Sequence, residues 1–180
     1  KTISNHPYLN QRGITSDTLQ SPRFQGSIYT DSHNNVIFPH QNSEGVCGYE
    51  IINHQFQGFC NGDTPGLWTS RSGSNDQRQV ICESPLECLS YHQLHPDNNT
   101  RYLATGGTLS ESQKNLLRRR LKKIHQQGGQ IIIATDNDEA GDLLAQEIAE
   151  NAPKNAQLFR STPKHHQDWN AALQAQFKQQ

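Results

Sequence analysis

The chain has 180 residues, of which 32% are hydrophobic and 18% are charged, and this length fits one or two domains. No apolar run approaches the ~20 residues of a membrane-spanning helix, so we expect no contact with a membrane. The 16 Lys and Arg residues are balanced by 17 Asp and Glu residues. This balance excludes a globally basic nucleic-acid coat and leaves any anion binding to local patches.

The first part of the chain, 1–75, is rich in Gly, Asn, aromatic residues and short apolar runs. A short helix is predicted over 8–12, and Gly13 ends it. Gly and Asn then punctuate strand candidates at hairpin-like intervals. These strands are predicted over 27–30, 36–39, 48–52 and 57–59. We therefore expect a small, mostly antiparallel α+β subdomain, which a polar Gly/Ser-rich stretch at 70–76 separates from the rest.

The second part, 76–180, alternates apolar strands with helical stretches. The apolar run 131–134 fits a strand that is buried on both faces, and helical crossovers between such strands predict a parallel sheet. Strands are predicted over 79–83, 101–104, 130–135 and 157–160, and helices over 85–94, 110–127, 139–150 and 169–177. The expected fold class is α/β, with a parallel sheet flanked by helices.

The cysteines and the missing methionines indicate the setting of the protein. The four cysteines (Cys47, Cys60, Cys82 and Cys88) include no Cys-x-x-Cys pair, so a zinc ribbon is not expected. Buried, reduced thiols are the simpler interpretation, and they predict a cytoplasmic location. The sequence contains no Met, and we expect it to be a piece of a longer chain with other domains.

Acidic residues follow two strands of the predicted parallel sheet. Glu83 ends one strand, and Asp136 and Asp138 follow another. Sites in such sheets form at the carboxyl ends of the strands. Converging carboxylates repel one another unless a cation lies between them, and a set of oxygen ligands suits Mg²⁺ or Mn²⁺. The alternative is that Asp136 and Asp138 only cap the next helix, which Asp does well.

Three segments together resemble a known family: Val-Ile-Cys-Glu at 80–83, Leu-Ala-Thr-Gly-Gly at 103–107 and Ile-Ala-Thr-Asp-Asn-Asp-Glu-Ala-Gly at 133–141. The combination resembles a Toprim domain, the nucleotidyl-transfer and hydrolysis module of bacterial-type primases, topoisomerases and some nucleases. The resemblance spans roughly 79–177. It implies a catalytic and metal-binding set of Glu83, Asp136 and Asp138, with Gly106, Gly107 and Gly141 as motif glycines.

Two further segments resemble the primase branch of that family. Lys164 and the Asp168-Trp169-Asn170 triplet resemble the element that closes primase-type Toprim domains. The segment 8–14 resembles the x-Leu-x-x-Arg-Gly-Ile helix that precedes Toprim in primases. A domain of unknown function (DUF3991) precedes a Toprim-like domain in plasmid and conjugative-element proteins in the same way. The resemblance implies that Arg12 helps to hold template or nucleotide, and that Lys164 neutralises phosphate charge.

The sequence departs from the Toprim pattern at two places. The family usually has Gly after its glutamate, where this chain has Ser84, and its next helix often starts with Asp-Ala, where this chain has Glu87-Cys88. A side chain at Ser84 narrows the approach of a phosphate. Neither change removes an expected metal ligand.

Six basic residues lie within ten positions of the predicted helix 110–127. Most of them must be exposed, and they form either a solvated face or a patch that tracks phosphates. They are Lys114, Arg118, Arg119, Arg120, Lys122 and Lys123. Of these, Arg118, Arg119 and Lys122 are the candidates for nucleic-acid contact.

The resulting functional hypothesis is a metal-dependent, primase-type nucleotidyltransferase of a mobile genetic element. It implies Mg²⁺ or Mn²⁺ as cofactor, and single-stranded DNA and nucleoside triphosphates as partners. Two alternatives remain open. One is a non-catalytic DNA-binding Toprim module of a larger relaxase or replication protein, and the other is a Toprim-type nuclease.

Overall fold

The computed structural model of the protein describes residues 3–60 and 66–178. Two short helices open the chain, and an antiparallel sheet follows in the order β1-β2-β3-β4. The helices are α1 (Pro7–Gln11) and α2 (Ser16–Gln20), and the strands are β1 (Tyr29–Thr30), β2 (Val36–Gln41), β3 (Val46–Ile52) and β4 (Gln57–Phe59). We call this the N-terminal sheet, and it confirms the expected antiparallel α+β subdomain.

The second sheet, called the central sheet, has the strand order β5-β7-β6-β8-β9. All neighbouring strands in it are parallel except β5, which pairs antiparallel with β7. Its strands are β5 (Trp68–Thr69), β6 (Arg78–Cys82), β7 (Thr100–Ala104), β8 (Gln130–Ile133) and β9 (Gln157–Arg160), and its helices are α3 (Pro85–Leu94), α4 (Glu111–Gln126), α5 (Glu139–Glu150) and α6 (Trp169–Phe177). The predicted α/β fold with a mostly parallel sheet is confirmed.

Local sequence signals explain where the helices begin. Ser110 and Gln113 form a capping box at the start of α4, which satisfies two backbone donors reciprocally. Ser84 caps α3, Asp138 caps α5 and Asp168 caps α6 through side-chain oxygens. Because these caps directly follow strands or loops at one edge of the central sheet, three helices start beside that edge.

Apolar side chains cover both faces of the central sheet. One face packs Ile81 and Ile133 against Leu117 and Leu121 of α4. The other face carries a larger cluster, in which Tyr102 packs with side chains of α3, α6 and the N-terminal part. Alternate residues of each strand thus face different helix layers, and this explains why the central strands are almost continuously apolar.

The N-terminal part shares its core with the central sheet. Leu9, Phe24, Phe38 and Trp68 belong to the same buried cluster as Tyr102. The indole N–H of Trp68 donates a hydrogen bond to the Ser27 carbonyl at 2.8 Å. The predicted boundary at 75/76 therefore falls between segments that pack against each other.

Two smaller expectations concern cysteines and membranes. Cys82 and Cys88 are buried thiols, as expected, whereas Cys47 and Cys60 are only partly buried. Within residues 3–60 and 66–178, no helix is long and apolar enough to cross a membrane.

Candidate metal and nucleic-acid site

The carboxyl ends of two neighbouring strands bring Glu83 and Asp136 together. Glu83 follows β6 directly, and Asp136 lies three residues after β8, the parallel neighbour of β6. Backbone bonds fix both strand ends: the Gly106 N–H donates to the Glu83 carbonyl, and the Ala134 N–H to the Ile81 carbonyl, both at 2.8 Å. The Asp136 backbone N–H also donates to the Glu83 carboxylate. We call the region around these residues the acidic edge.

The electrostatics of the acidic edge disfavour charge on its carboxylates. Burial, followed by the nearby carboxylates of Glu83, Asp168 and Asp138, raises the pKa of Asp136 to about 7. Burial also raises the pKa of Glu83, with Asp138 adding to the rise, although the hydrogen bond from Asp136 opposes it. These groups therefore lie close enough to repel one another.

Two oxygens of the acidic edge are buried without a hydrogen-bond partner in the described residues. They are Oε1 of Glu83 and Oδ1 of Asp136. No ion pair ties Glu83, Asp136 or Asp138 to an arginine in the described part of the chain. A buried acceptor left unpaired costs about 1–3 kcal/mol, and a proton or a cation would remove that cost. The two oxygens thus fit a divalent cation.

A complete protein cage for a metal is nevertheless absent from residues 3–60 and 66–178. No three His, Cys, Asp or Glu side chains there come close enough to hold a metal ion. Mg²⁺ commonly binds through one or two carboxylates, with waters and substrate phosphates filling the other positions. The residues present fit that mode, with Glu83 and Asp136 as the carboxylates.

Asp138 has a structural role that the sequence allowed as an alternative. Its Oδ1 accepts the Gly141 N–H at 2.7 Å, and its Oδ2 accepts a side-chain N–H of Gln167 at 3.1 Å. Asp138 therefore caps α5, whereas Asp136 does not. The alternative that both aspartates only cap the next helix holds for Asp138 alone. Asp138 would have to share an oxygen with a metal to serve as a ligand.

The motif glycines allow close backbone contacts at the acidic edge. A Cβ at Gly141 would collide with the backbone of Asp136, so the first turn of α5 can approach the strand end only with glycine there. Gly106 and Gly107 both have positive φ, at 75° and 104°, a region that glycine tolerates best. The sequence predicted these residues as motif glycines, and the structure supplies a steric reason for each.

Two more acidic groups lie at the start of α6, Asp168 before the helix itself and Glu87 on the neighbouring α3. Asp168 caps α6, with its Oδ1 accepting the Ala171 N–H at 2.6 Å. Glu87 of α3 accepts the backbone N–H groups of Trp169 at 2.6 Å and Asn170 at 3.2 Å. Burial, followed by the nearby Asp168 and Asp136 carboxylates, raises the pKa of Glu87 to about 8. The sequence marked Glu87 only as a departure from the family pattern, and its position one helical turn after Glu83 is the signal that was missed.

Arg160, which the sequence did not single out, braces the segment that follows β8. It ends β9 and donates to the backbone carbonyls of Thr135 at 2.8 Å and Asp136 at 2.9 Å. The Arg160 guanidinium also forms an ion pair with Asp142 at 3.3 Å. Its positive charge opposes the rise in the pKa of Asp136. The sequence signal for this role is its position at the end of the predicted strand 157–160.

Arg12 connects the N-terminal part to the closing motif. Its Nε donates to Oδ1 of Asn170 at 2.7 Å, and Nδ2 of Asn170 donates back to the Arg12 carbonyl at 2.8 Å. Asn170 is fully buried and also donates to Ser90 at 3.0 Å. The structure thus gives Arg12 and Asn170 a joining role, and phosphate binding by Arg12 stays a prediction.

The remaining basic candidates lie away from the acidic edge or are exposed. Helix α4 starts near the carboxyl edge and runs back along the sheet, so Lys122 lies towards the opposite edge. Arg118 pairs with Glu111 at 3.5 Å and bonds to Asn115. Arg119, Lys122 and Lys164 are exposed. The structure does not bring the α4 residues together with the carboxylates.

An open cavity of about 520 Å³ adjoins Glu83. The loop after β7 contributes Gly107 and Thr108, and α5 contributes Leu143, whose side chain is 63% exposed. This volume lies within the range of small-molecule sites, about 300–1,000 Å³. A nucleotide-sized ligand would therefore fit beside the carboxylate.

Comparison with known families decides the relationship. Residues 80–173, more than half of the chain, match the Toprim-like family. The chain belongs to the Toprim-like family. Residues 7–76, which precede the Toprim-like domain, match a protein family of unknown function, DUF3991. The sequence has no match among curated proteins.

Solved structures show what fold surrounds the Toprim-like domain. The primase fragment of the bacteriophage T7 primase-helicase protein is similar over 97% of this chain and 71% of its own, with a TM-score of 0.62 and 15% identity. A second similar structure is of bacteriophage T7 lagging-strand DNA polymerase interacting with primase domains bound to an RNA/DNA hybrid and dTTP. It matches over 97% of this chain and 88% of its own, with a TM-score of 0.59 and 15% identity. At this identity the likeness establishes the fold, which extends from the N-terminal sheet through the Toprim-like domain.

Proposed function

We propose that this protein is a metal-dependent nucleic-acid enzyme module of the primase type, which joins nucleotides on a single-stranded DNA template. The observation that carries the proposal is the pair of buried, unpartnered oxygens, Oε1 of Glu83 and Oδ1 of Asp136, at the ends of neighbouring parallel strands. The family match and the primase fold support it. Mg²⁺ or Mn²⁺ is the proposed cofactor, and nucleoside triphosphates are the proposed substrates.

In this mechanism Glu83 and Asp136 would hold the cation, and Asp138 positions the adjacent turn through its capping bonds. A bound divalent ion would stabilise charge on phosphate oxygens and lower the pKa of a 3′-hydroxyl. The cavity beside Glu83 is also lined by Glu147 and Glu150, so a triphosphate there would need bound cations to offset their charge. Arg160 keeps the Asp136 backbone in place. Lys164 and Arg12 are proposed to neutralise phosphate charge. The raised pKa of Glu83 also suits it for general acid or base work.

The setting of the module is part of the proposal. We propose a cytoplasmic protein of a plasmid or other mobile element, in which this chain works beside further domains. Support comes from the order of the two matched families along the chain, DUF3991 followed by the Toprim-like domain.

A second candidate function is DNA binding without catalysis, as part of a larger relaxase or replication protein. Ser84 favours it, because its side chain caps α3 at the place where the Toprim pattern has Gly. The lack of three converging metal ligands in the described residues points the same way. A Toprim-type nuclease would use the same acids and is the third candidate.

A single assay separates these candidates. The protein is incubated with single-stranded DNA, labelled nucleoside triphosphates and Mg²⁺ or Mn²⁺, and the products are resolved by length. We expect short products that Asp136→Asn abolishes. Glu139→Gln removes an exposed carboxylate at the start of α5, three residues after Asp136, and should retain activity. DNA binding without any product would support the non-catalytic binding module. Cleavage of the DNA strand would support the nuclease.

A further inference from the structure

A second charged feature lies at the amino end of the central sheet, opposite the acidic edge. Arg101 sits near the start of β7, and Lys123 lies in the last turn of α4. Together with Arg120 they line a cavity of about 40 Å³, which we call the basic cavity. One water needs about 10–15 Å³ of such space. The basic cavity therefore has room for a group the size of a tetrahedral oxyanion.

The two arginines of the basic cavity repel each other. Burial, followed by the positive charge of Arg120, lowers the pKa of Arg101 to about 10, although the Asp76 carboxylate opposes the shift. Burial also lowers the pKa of Arg120. The two partly buried guanidinium groups line one cavity, and an anion between them would offset their repulsion.

The protein supplies little negative charge there. Asp76 is the one acidic residue that lines the cavity. Its Oδ1 lies 2.7 Å from Nη2 of Arg23, in an ion pair that lacks the alignment of a hydrogen bond. Its Oδ2 accepts the Gly73 N–H at 2.8 Å. Among the described residues, neither Arg120 nor Lys123 forms an ion pair. Arg23, Arg101, Arg120 and Lys123 thus share a single carboxylate, whose one negative charge cannot offset four positive ones.

An unsatisfied donor marks the same place. The Nε–H of Arg101 is buried and has no acceptor in the part of the chain that the structure describes. A neighbouring nitrogen, Nη2, reaches the Thr69 hydroxyl at 3.4 Å. Guanidinium groups match oxyanions through paired N–H donors, so an oxyanion would satisfy a donor that the fold leaves open.

We propose that the basic cavity is a phosphate-binding site, in which Arg101, Arg120 and Lys123 bind one phosphate group. The group belongs either to a nucleic-acid backbone or to a small phosphate compound. A phosphate group presents more acceptor oxygens than a carboxylate does, so it can accept from several of these cations at once. The site lies on the far edge of the sheet from Glu83 and Asp136, and does not depend on the function proposed above.

The test is a titration of the whole chain with inorganic phosphate at constant ionic strength, followed by two-dimensional NMR of backbone amides, with chloride as reference. We expect saturable shifts around Arg101 and Arg120. Arg120→Gln should weaken binding at least tenfold, and Lys123→Gln by a smaller factor. Arg119→Gln, which removes an exposed neighbour that does not line the cavity, should change it less than twofold. Equal weakening by Arg119→Gln and Arg120→Gln, or shifts no larger than with chloride, would overturn the proposal.

A second arm identifies the source of the phosphate. A short single-stranded DNA oligonucleotide is added in EDTA to the phosphate-bound protein. Displacement of phosphate, with weaker DNA binding by Arg120→Gln, would identify a nucleic-acid backbone. Phosphate binding that persists at saturating oligonucleotide would identify a small phosphate compound. Asp136→Asn should leave phosphate affinity unchanged, so this result and the failure of the proposed function are distinguishable.

Discussion

At the scale of single residues, Glu87 is a carboxyl group that accepts two backbone N–H groups and is still costly to ionise. The pKa of Glu87 is about 8 in the folded protein, against 4.5 for an exposed glutamate. The folded state therefore holds more protons than the unfolded state between these values. It follows that Glu87 makes the protein less stable as the pH rises through this window.

Replacing Glu87 by Gln should remove most of this pH dependence. The amide oxygen of Gln can still accept the N–H groups of Trp169 and Asn170, but it carries no charge. We expect the wild-type free energy of unfolding to fall by up to about 1.4 kcal/mol per pH unit because of Glu87, and the slope to be smaller in Glu87→Gln. Urea unfolding in EDTA from pH 5 to pH 8 measures this. Glu139→Gln is the control, and an unchanged slope in Glu87→Gln would contradict the argument.

Asp136 is a proposed ligand of the divalent ion, and its substitution tests that role. A cation that binds only the folded state stabilises it by mass action. We expect millimolar Mg²⁺ or Mn²⁺ to raise the unfolding temperature of the wild type at pH 7.5. Asp136→Asn should abolish the rise and also increase stability without metal, because a poorly solvated charge is removed. Differential scanning fluorimetry measures both effects. A rise of equal size in the variant would place the cation elsewhere.

At the scale of elements, the start of α6 depends on one buried amide. Asn170 joins α6 to α3 through Ser90 and to α1 through Arg12. Removing its side chain leaves buried donors and acceptors unpaired, at a cost of roughly 2–4 kcal/mol. Asn170→Ala should show this loss in chemical unfolding. Gln176→Ala, on an exposed face of the same helix, should change stability by less than about 0.5 kcal/mol, and a similar small loss in Asn170→Ala would refute the joining role.

Gly141, in the first turn of α5, is a helix position where alanine should be less stable than glycine. Replacing Gly by Ala inside a helix usually stabilises it by up to ~1 kcal/mol. At Gly141 the added Cβ meets the Asp136 backbone, and overpacking of this kind costs about 1–3 kcal/mol. We expect Gly141→Ala to be destabilising and to displace Asp136. Chemical unfolding and the loss of the metal-induced rise in unfolding temperature would report the two effects, and a stabilised variant would contradict them.

At the scale of the whole molecule, the two sheets depend on each other. The edge strand β5 precedes the predicted boundary at 75/76 but pairs with β7 in the central sheet. We expect a fragment of residues 76–180 to lose near-ultraviolet circular dichroism and to bind hydrophobic dyes, because the face that packs on Phe24 and Trp68 is uncovered. A fragment of residues 66–180, which keeps β5, should be closer to native. A native-like spectrum for 76–180 would show that the boundary separates independent units.

The sequence predicted the regular elements well where their signals are local. The helices at 139–150 and 169–177 and the strand at 157–160 were placed as the structure has them, because caps and apolar periodicity act within a few residues. The pairing of β5 with β7 was not predicted, since a two-residue strand has no period. The convergence of Glu83 and Asp136 followed from the parallel sheet. Arg160 was missed, because its partners lie about 25 positions earlier in the chain.

Arg160 also bears on when the acidic edge comes into being during synthesis. The loop that carries Asp136 is held by a side chain from the end of the final strand, and Glu87 is sealed off by the still later Trp169. A nascent chain that has emerged only as far as α5 therefore has all its motif carboxylates but lacks the side chain that braces the Asp136 loop. Synthesis must therefore proceed through Trp169 before every contact around these carboxylates can form.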